Sequence, residues 1–190
     1  MKTKTLTYGG LNWLVLSETD ESVLVLSEKS IGDMPFDEDN NNDWENSSLR
    51  KYLNDGFLKQ LAQNGADLSK IIPMRRDLTA DDGVTDYGSC EDKITLLTAE
   101  EYRNHRYSIT NLDNWWWLAT AWSTASNGYS SYARYVRTDG TLTYGSVAYN
   151  GYNGVRPALT LSSDIFVSNN PLEDYATSDL LKELLRRETR

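Results

Sequence analysis

Apolar and polar residues alternate near the start of the chain and predict a β-hairpin. The first run places Leu11, Trp13 and Val15 at every second position, and the second run covers Val23 to Leu26. The polar stretch from Ser17 to Ser22 separates them. Because alternate side chains of a strand point to opposite faces, this pattern favours two strands that each pack one face on a core.

A helical spacing of three and four residues follows after Ser47 and Ser48, either of which can cap a helix. The expected apolar face, which Gly56 weakens in its middle, holds Leu49, Leu53, Phe57, Leu58 and Leu61. Such a helix has to pack its apolar face on a sheet. Thr98 and Glu101 form a capping-box pattern for a second helix of about two turns.

The segments around these helices have the composition of loops or short strands. The acidic run from 31 to 43 shows no periodicity, and we expect it on the surface. Residues 71–90 have loop composition, with a short strand at Ile71 and Ile72, and residues 93–97 predict another short strand.

The second half of the chain predicts further strands. Trp115 to Leu118 is an aromatic strand, and two alternating runs at 132–137 and 141–144 flank a turn at Asp139 and Gly140. The last strand covers 154–161, and we expect Pro157 to place it at an edge or a bulge. Short strands without regular helix alternation predict an α+β fold.

We expect one domain over residues 1–170, followed by a tail at 171–190. Ser178 can cap a short amphipathic helix in this tail, with Leu180, Leu181, Leu184 and Leu185 on one face. The helix can dock on its own domain or on another chain, so a homo-oligomer stays open. No apolar segment suggests membrane insertion or a signal peptide, which predicts a virion-associated or cytoplasmic protein.

Composition and charge narrow the chemistry. The chain has 190 residues with a net charge of -9, which repels phosphate backbones and argues against nucleic acid as a partner. It holds one Cys, Cys90, and one His, His105, too few for an internal disulfide or an ordinary zinc site. His105 lies near a predicted helix end, where a surface cation complementing the helix dipole is the simpler interpretation.

The most unusual composition lies between Ser123 and Asn153, which we call the display segment. It contains six of the twelve Tyr and many Ser, Gly and Asn, but none of Lys, Glu, Gln, Met or Trp. Two interpretations stay open: a turn-rich β region, or a binding surface like that of antibody loops. Random replacement of the adenines in AAC or AAT codons also never yields those five residue types.

Several ordered pieces of the chain together resemble a family of uncharacterised domains common in Firmicutes and their phages. The pieces are Leu11 to Leu16, Trp44 to Asn54 with Phe57, Ile94 to Thr98 with Glu101 and Tyr102, Trp116 to Leu118, and Gly154 to Leu159. That family is similar to the C-type-lectin-like fold of formylglycine-generating enzymes. The resemblance implies a tryptophan-rich core that supports the last strand.

Proteins of that fold also serve as variable proteins of diversity-generating retroelements, with a variable segment between a tryptophan-rich stretch and the last strand. The display segment occupies that place. Two features depart from the pattern: Ala119 to Trp122 replaces the family's usual Arg-Ser-Pro, and a tail follows the last strand. The resemblance does not carry over formylglycine chemistry, which needs two cysteines, or the calcium motifs of sugar-binding lectins.

We therefore expect a ligand- or receptor-binding protein, not an enzyme, with a protein or cell-surface ligand. We assign no catalytic residue, no cofactor and no metal ligand, and we interpret the run from 37 to 43 as a solvated acidic loop. The expected ligand contacts are Trp122, Ser123, Ser126, Asn127, Tyr129, Ser130, Tyr132, Tyr144, Ser146, Tyr149, Asn150, Tyr152 and Asn153. The alternative is a structural or assembly domain of a phage or bacterial surface protein. An enzyme that uses Asp81, Asp82 or Asp86 has no pairing pattern in its favour.

Overall fold

The predicted N-terminal hairpin begins a five-stranded antiparallel sheet. The computed structural model describes residues 4–147 and 153–166. Strands β1 (Thr5–Tyr8), β2 (Leu11–Glu18) and β3 (Ser22–Ser27) lie side by side. Strands β4 (Ile71–Ile72) and β10 (Ala158–Ser162) complete the sheet in the order β1-β2-β3-β10-β4.

The last strand, β10, lies inside this sheet and not at its edge. It pairs with β3 on one side and with the short β4 on the other. Pro157 precedes the first paired residue, and its carbonyl oxygen accepts a hydrogen bond from the Ser27 N–H at 2.8 Å. The expected edge or bulge is therefore wrong: β10 is paired on both sides without a register shift, because a proline just before a strand removes no donor from the ladder.

The predicted first helix forms over residues 48–63. It comprises α1 (Ser48–Tyr52), a π-helical turn (Leu53–Phe57) that contains Gly56, and α2 (Leu58–Gln63). Ser47 caps α1, since its hydroxyl oxygen accepts from the Arg50 N–H at 3.1 Å. Four of the five expected apolar positions are buried, and Leu58 is half-buried: Leu49, Leu53, Phe57 and Leu61 form the inner face.

The second helix, α3 (Ala99–His105), starts with the predicted capping box. The Glu101 N–H donates to the Thr98 hydroxyl at 3.1 Å, and the Thr98 N–H donates to the Glu101 carboxylate at 2.8 Å. The strand expected at 93–97 is wrong, because this segment makes only an isolated bridge between Thr95 and Ala158.

Two smaller antiparallel sheets complete the described structure. Strands β5 (Met74–Asp77) and β6 (Ser89–Asp92) form a ribbon in a region that its composition predicted to be mostly loop. Strands β7 (Trp116–Ala121), β8 (Tyr132–Val136) and β9 (Leu142–Ser146) form a sheet in that order. The architecture is thus α+β with antiparallel sheets.

Tryptophans fill the core between these elements. Trp13, Trp44, Trp116 and Trp117 are almost fully buried. Most of their indole N–H groups donate to internal oxygens, for example from Trp117 to the Met34 carbonyl at 3.0 Å. Such partners offset the cost of burying a polar N–H.

A fully buried arginine ties the last strand to this core. The Arg156 guanidinium lies 4.9 Å from the Trp116 ring and donates to the carbonyl oxygens of Ser27, Thr110 and Glu28. Burial lowers its pKa to about 10, so it stays charged at neutral pH. Within the described ranges, no helix has the length and apolar character that crossing a membrane requires. The tail at 171–190 lies outside the described residues.

Candidate functional site

Strands β8 and β9 divide the display segment into an inner and an outer face. Ala133 and Tyr135 point inward and are buried in the core, where Tyr135 stacks on Trp115 at 5.1 Å between ring centroids. Tyr132 pairs with Ser146, and Arg134 pairs with Tyr144, on the opposite face. The alternation of the strands therefore sorts the tyrosines into core and surface residues.

Three tyrosine rings gather around Trp122 on the outer face. The Trp122 ring stacks on Tyr144 with centroids 4.4 Å apart and an interplanar angle of 13°. It also makes edge contacts with Tyr129 at 4.6 Å and Tyr132 at 6.0 Å. Tyr129 and Tyr144 each keep 43% of their surface exposed. We call Trp122, Tyr129, Tyr132 and Tyr144 the aromatic cluster.

The loop that carries Tyr129 is held by a buried asparagine. The Asn42 amide nitrogen lies 2.9, 2.8 and 2.7 Å from the carbonyl oxygens of Ser123, Tyr129 and Tyr132. The Asn42 main-chain N–H donates to the Ser130 carbonyl at 2.7 Å. This one side chain thus fixes both ends of the loop relative to β8.

A tyrosine outside the display segment supports the same loop. The Tyr87 hydroxyl donates to the Asn42 side-chain oxygen at 2.7 Å and accepts from the Ala125 N–H at 3.1 Å. Both polar ends of the Asn42 amide are therefore satisfied inside the protein. A buried amide whose nitrogen and oxygen both have hydrogen-bond partners stabilises one conformation of the loop.

The acidic run from 37 to 43 is partly internal, which corrects the expected solvated loop. The Asp37 carboxylate is buried and accepts from the main-chain N–H groups of Asp39, Asn41 and Ser48 at 2.8 to 3.0 Å. Glu38, Asp39 and Asn40 remain exposed. In the described part of the chain, no group of three or more His, Cys, Asp or Glu side chains could hold a metal ion.

A network of charged side chains borders the aromatic cluster. The Asp81 carboxylate forms ion pairs with Arg134 and, at 2.8 Å, with Arg103 of α3. Burial alone would raise the pKa of Asp81, but the two guanidinium groups have the larger combined effect and hold this pKa below its ordinary value. The Arg134 guanidinium also lies 5.8 Å from the Tyr144 ring. The outer face therefore combines aromatic rings with a fixed positive group.

The structure places most of the predicted contact residues at the surface around the cluster. Ser126, Asn127 and Ser130 are exposed, while Trp122, Tyr132 and Ser146 are half-buried. The Asn127 amide lies 3.2 Å from the Ser123 hydroxyl and 3.4 Å from the Asp82 carboxylate. These side chains surround the rings on the loop side.

Two of the predicted contacts need correction. Ser123 and Asn153 are buried, with 2% and 3% of their surfaces exposed, so neither can touch a ligand at the surface. Ser123 is the second residue after β7, and the main-chain carbonyl of Asn153 accepts from the Met34 N–H at 3.2 Å. Tyr149, Asn150 and Tyr152 lie outside the described residues.

The sequence interpretation missed several residues that build the site. Arg134 had a signal, because its position in the alternating run places it on the same face as Tyr132. Asp81, Asn42 and Tyr87 had none, since their contacts with the site join residues 38 or more positions apart in the chain and form only through the fold.

The thiol of Cys90, the one cysteine of the chain, does not belong to the site. Cys90 is buried in the core, and burial together with the charge of Asp92 raises the pKa of its thiol to about 11. A thiol in this state is a poor nucleophile at neutral pH. The carboxylates of Asp82 and Asp86 are hydrogen-bonded to the loop through Asn127 and Thr124.

Comparison with known proteins gives one match. A family model described as Domain of unknown function (DUF6273) matches residues 20–163. No curated protein and no solved structure matches the chain. The matched region begins between β2 and β3, ends just after β10 and includes the whole display segment.

Proposed function

This chain belongs to the DUF6273 family of domains of unknown function, and we propose that it is a binding protein whose contact surface is the aromatic cluster. The observation that carries the proposal is the stacking of Trp122 and Tyr144 at 4.4 Å on an outer face where Tyr129 and Tyr144 stay 43% exposed. Exposed apolar patches mark interaction sites, and Trp and Tyr are enriched among the residues that carry binding energy.

The chemistry around the rings supports a protein or cell-surface ligand. Tyr and Trp provide large contact areas with few rotatable bonds, and Ser126, Asn127 and Ser130 provide adaptable hydrogen bonds. The rings already contact one another, so little side-chain freedom is lost on binding. The net charge of -9 argues against a nucleic acid ligand.

We further propose that the scaffold is C-type-lectin-like and that a diversity-generating retroelement alters the display segment. In support, the restricted composition includes the exposed surface: the exposed positions of the loop hold Ala, Ser, Asn, Gly and Tyr. Trp122 lies just before the restricted segment and stacks under Tyr144. We interpret Trp122 as an invariant platform on which variable side chains pack.

The test is to sequence this gene and its surroundings in several sibling isolates. We expect differences at codons derived from AAC or AAT, concentrated at exposed positions such as Ser126, Tyr129 and Tyr144. A near-copy template and a reverse transcriptase gene should lie nearby. The internal control is Tyr135, which has the same side chain as Tyr144 but lies in the core and should not vary.

An invariant display segment with no template nearby would contradict diversification. In that case the assembly-domain alternative becomes the one to test, by removing residues 172–190 and measuring the mass of the protein in solution. Loss of assembly would favour that alternative. Variation at buried positions as frequent as at exposed ones would also contradict the proposal, since ligand selection acts on the surface.

A further inference from the structure

Strand β9 is the outer strand of its sheet. Within the described residues, its one strand neighbour is β8. A strand with one open side carries main-chain donors and acceptors that can pair with another strand. Which groups point outward follows from the hydrogen bonds at the two ends of β9.

In an antiparallel pair, opposite residues alternate between pairs that exchange hydrogen bonds and pairs that do not. The Arg137 N–H donates to the Thr141 carbonyl at 2.9 Å, and the Val147 N–H donates to the Ser131 carbonyl at 3.0 Å. Thr143 and Gly145, which continue this alternation, therefore direct their main-chain groups toward β8. The main-chain groups of the residues between them point away from β8: Leu142, Tyr144 and Ser146.

We propose that a second copy of this chain pairs with β9 through this edge, antiparallel and about a two-fold axis at Tyr144. Tyr144 then faces Tyr144 of the second copy, and Leu142 faces Ser146. Each of these residues donates and accepts one main-chain hydrogen bond across the interface. The two three-stranded sheets join into one continuous sheet of six strands.

The composition of β9 favours this pairing. The strand reads Leu-Thr-Tyr-Gly-Ser and contains no charged residue and no proline. Its register with β8 is continuous from Leu142 to Ser146, without a bulge. Charges, prolines and bulges are among the features by which proteins protect an edge strand from pairing, and β9 has none of these three.

The charges at the two ends of β9 select an antiparallel second copy. At the Ser146 end, the hydroxyl lies 3.4 Å from the side-chain oxygen of Asn40, which follows the exposed Glu38 and Asp39 in the chain. The turn end carries Arg137 and Arg106 near Asp139. A two-fold axis at Tyr144 brings the acidic end of one copy beside the basic end of the other. The net charge of -9 on each copy opposes this, but salt screens charges beyond about 8 Å at physiological ionic strength.

The dimer does not depend on the proposed ligand-binding function. Side chains of β9 alternate across the sheet, so Tyr144 stays on the outer face when the edge is paired. Dimerisation would place two aromatic clusters side by side on one face. A protein that dimerises but binds no ligand would support the dimer alone. A monomer that binds a ligand would support the binding function alone.

Matched variants of the full chain test the interface by sedimentation velocity over a concentration series. Ser146→Pro removes an outward N–H without touching the hydrogen bonds to β8, and proline is tolerated at sheet edges. Ser146→Ala keeps the N–H and is the control. We expect the wild type and Ser146→Ala to approach about 43 kDa, twice 21.6 kDa, and Ser146→Pro to associate about tenfold more weakly or worse.

A wild type that stays monomeric throughout, or a Ser146→Pro variant that dimerises as tightly as the wild type, would overturn the proposal. If the proline variant does not fold, amide hydrogen exchange of the wild type decides instead. The Tyr144 and Ser146 N–H groups should gain protection as the protein concentration rises. The Thr143 and Gly145 N–H groups, bonded to β8, should be protected at every concentration. Equal and concentration-independent exchange of Tyr144 and Ser146 would contradict the dimer.

Discussion

At the scale of single residues, tyrosines of the display segment serve two different purposes. Tyr135 is 6% exposed and lies between Trp115 and Trp117, with centroid distances of 5.1 and 5.8 Å. Tyr144 has the same side chain on the neighbouring strand but stacks on Trp122 at the surface. Their roles differ because adjacent register positions point to opposite faces of the sheet.

This difference predicts opposite outcomes for the same substitution. Tyr135→Ala should lower the free energy of unfolding by about 3 to 5 kcal/mol, because it leaves a cavity in the core. Tyr144→Ala should lower it by less than about 1.5 kcal/mol, since it removes mainly an exposed aromatic contact. Urea denaturation of both variants measures the two values. Similar losses would mean that Tyr144 is a structural residue.

At the scale of elements, the loop after β7 depends on the acidic run that precedes α1. The acidic run has no helix or strand, and the loop has one short 3-10 turn, Ala125–Asn127. The Asn42 side chain joins the two segments by hydrogen bonds, and the Tyr87 hydroxyl bonds to both Asn42 and the loop. The base of the loop is therefore anchored, while its exposed tip, from Ala125 to Ser130, carries several of the proposed contact residues. Rigid support beneath an exposed loop is what a precise binding surface requires.

Removing this anchor should free the loop. Asn42→Ala removes the side-chain donor to the carbonyl groups of Ser123, Tyr129 and Tyr132, of which Tyr132 keeps the Trp122 N–H as a partner. We expect a loss of about 1 to 3 kcal/mol in stability. Amide exchange of residues 123–132 should rise by more than the global loss accounts for. The control is Asn41→Ala, which removes one side-chain bond, to the Asp43 N–H at 3.0 Å. Equal effects of both changes would contradict the anchoring role.

Much of the element pattern could be predicted because it is local. The hairpin at Trp13 and the capping box at Thr98 depend on residues close together in the chain, and both form as expected. The β5–β6 ribbon could not be predicted, since Arg76 is buried there through an ion pair with Glu101, which lies 25 residues further along the chain. The exposed rings were predicted as contacts, but their geometry around Trp122 depends on the fold.

At the scale of the whole molecule, buried charges connect elements that are distant in the chain. Arg156 joins the last strand to the carbonyl groups at Ser27 and Thr110. Arg76 joins β5 to the start of α3 through Glu101. The Arg156 contacts end on neutral carbonyl groups, whereas the Arg76–Glu101 ion pair makes the stability of the fold depend on pH, because Glu101 is a titratable acid.

The Glu101 carboxyl gives this dependence a definite direction. Burial raises its pKa, but Arg76 and the Thr98 hydrogen bonds outweigh burial and place it below its ordinary value. Glu101 therefore stabilises the fold above its unfolded pKa of about 4.3, and this contribution disappears as the pH falls through the lower folded pKa.

Glu101→Gln should therefore destabilise the protein at pH 7 and flatten the loss of stability on acidification. Thermal melts between about pH 7 and pH 3 measure both effects. The exposed neighbour provides the control as Glu100→Gln, which should keep the wild-type profile. If the melting temperature of Glu101→Gln falls on acidification as steeply as that of the wild type, other carboxyl groups cause the pH dependence.

The hydrogen bonds of Asn42 end on carbonyl oxygens, and every amino acid carries one. The anchor therefore does not recognise which side chains stand at Ser123, Tyr129 or Tyr132. Substitutions along this stretch can alter the chemistry of the surface without breaking the contact that holds it in place. Because Asn42 holds the main chain and not the side chains, exposed side chains of this loop can change during evolution while the loop keeps its conformation.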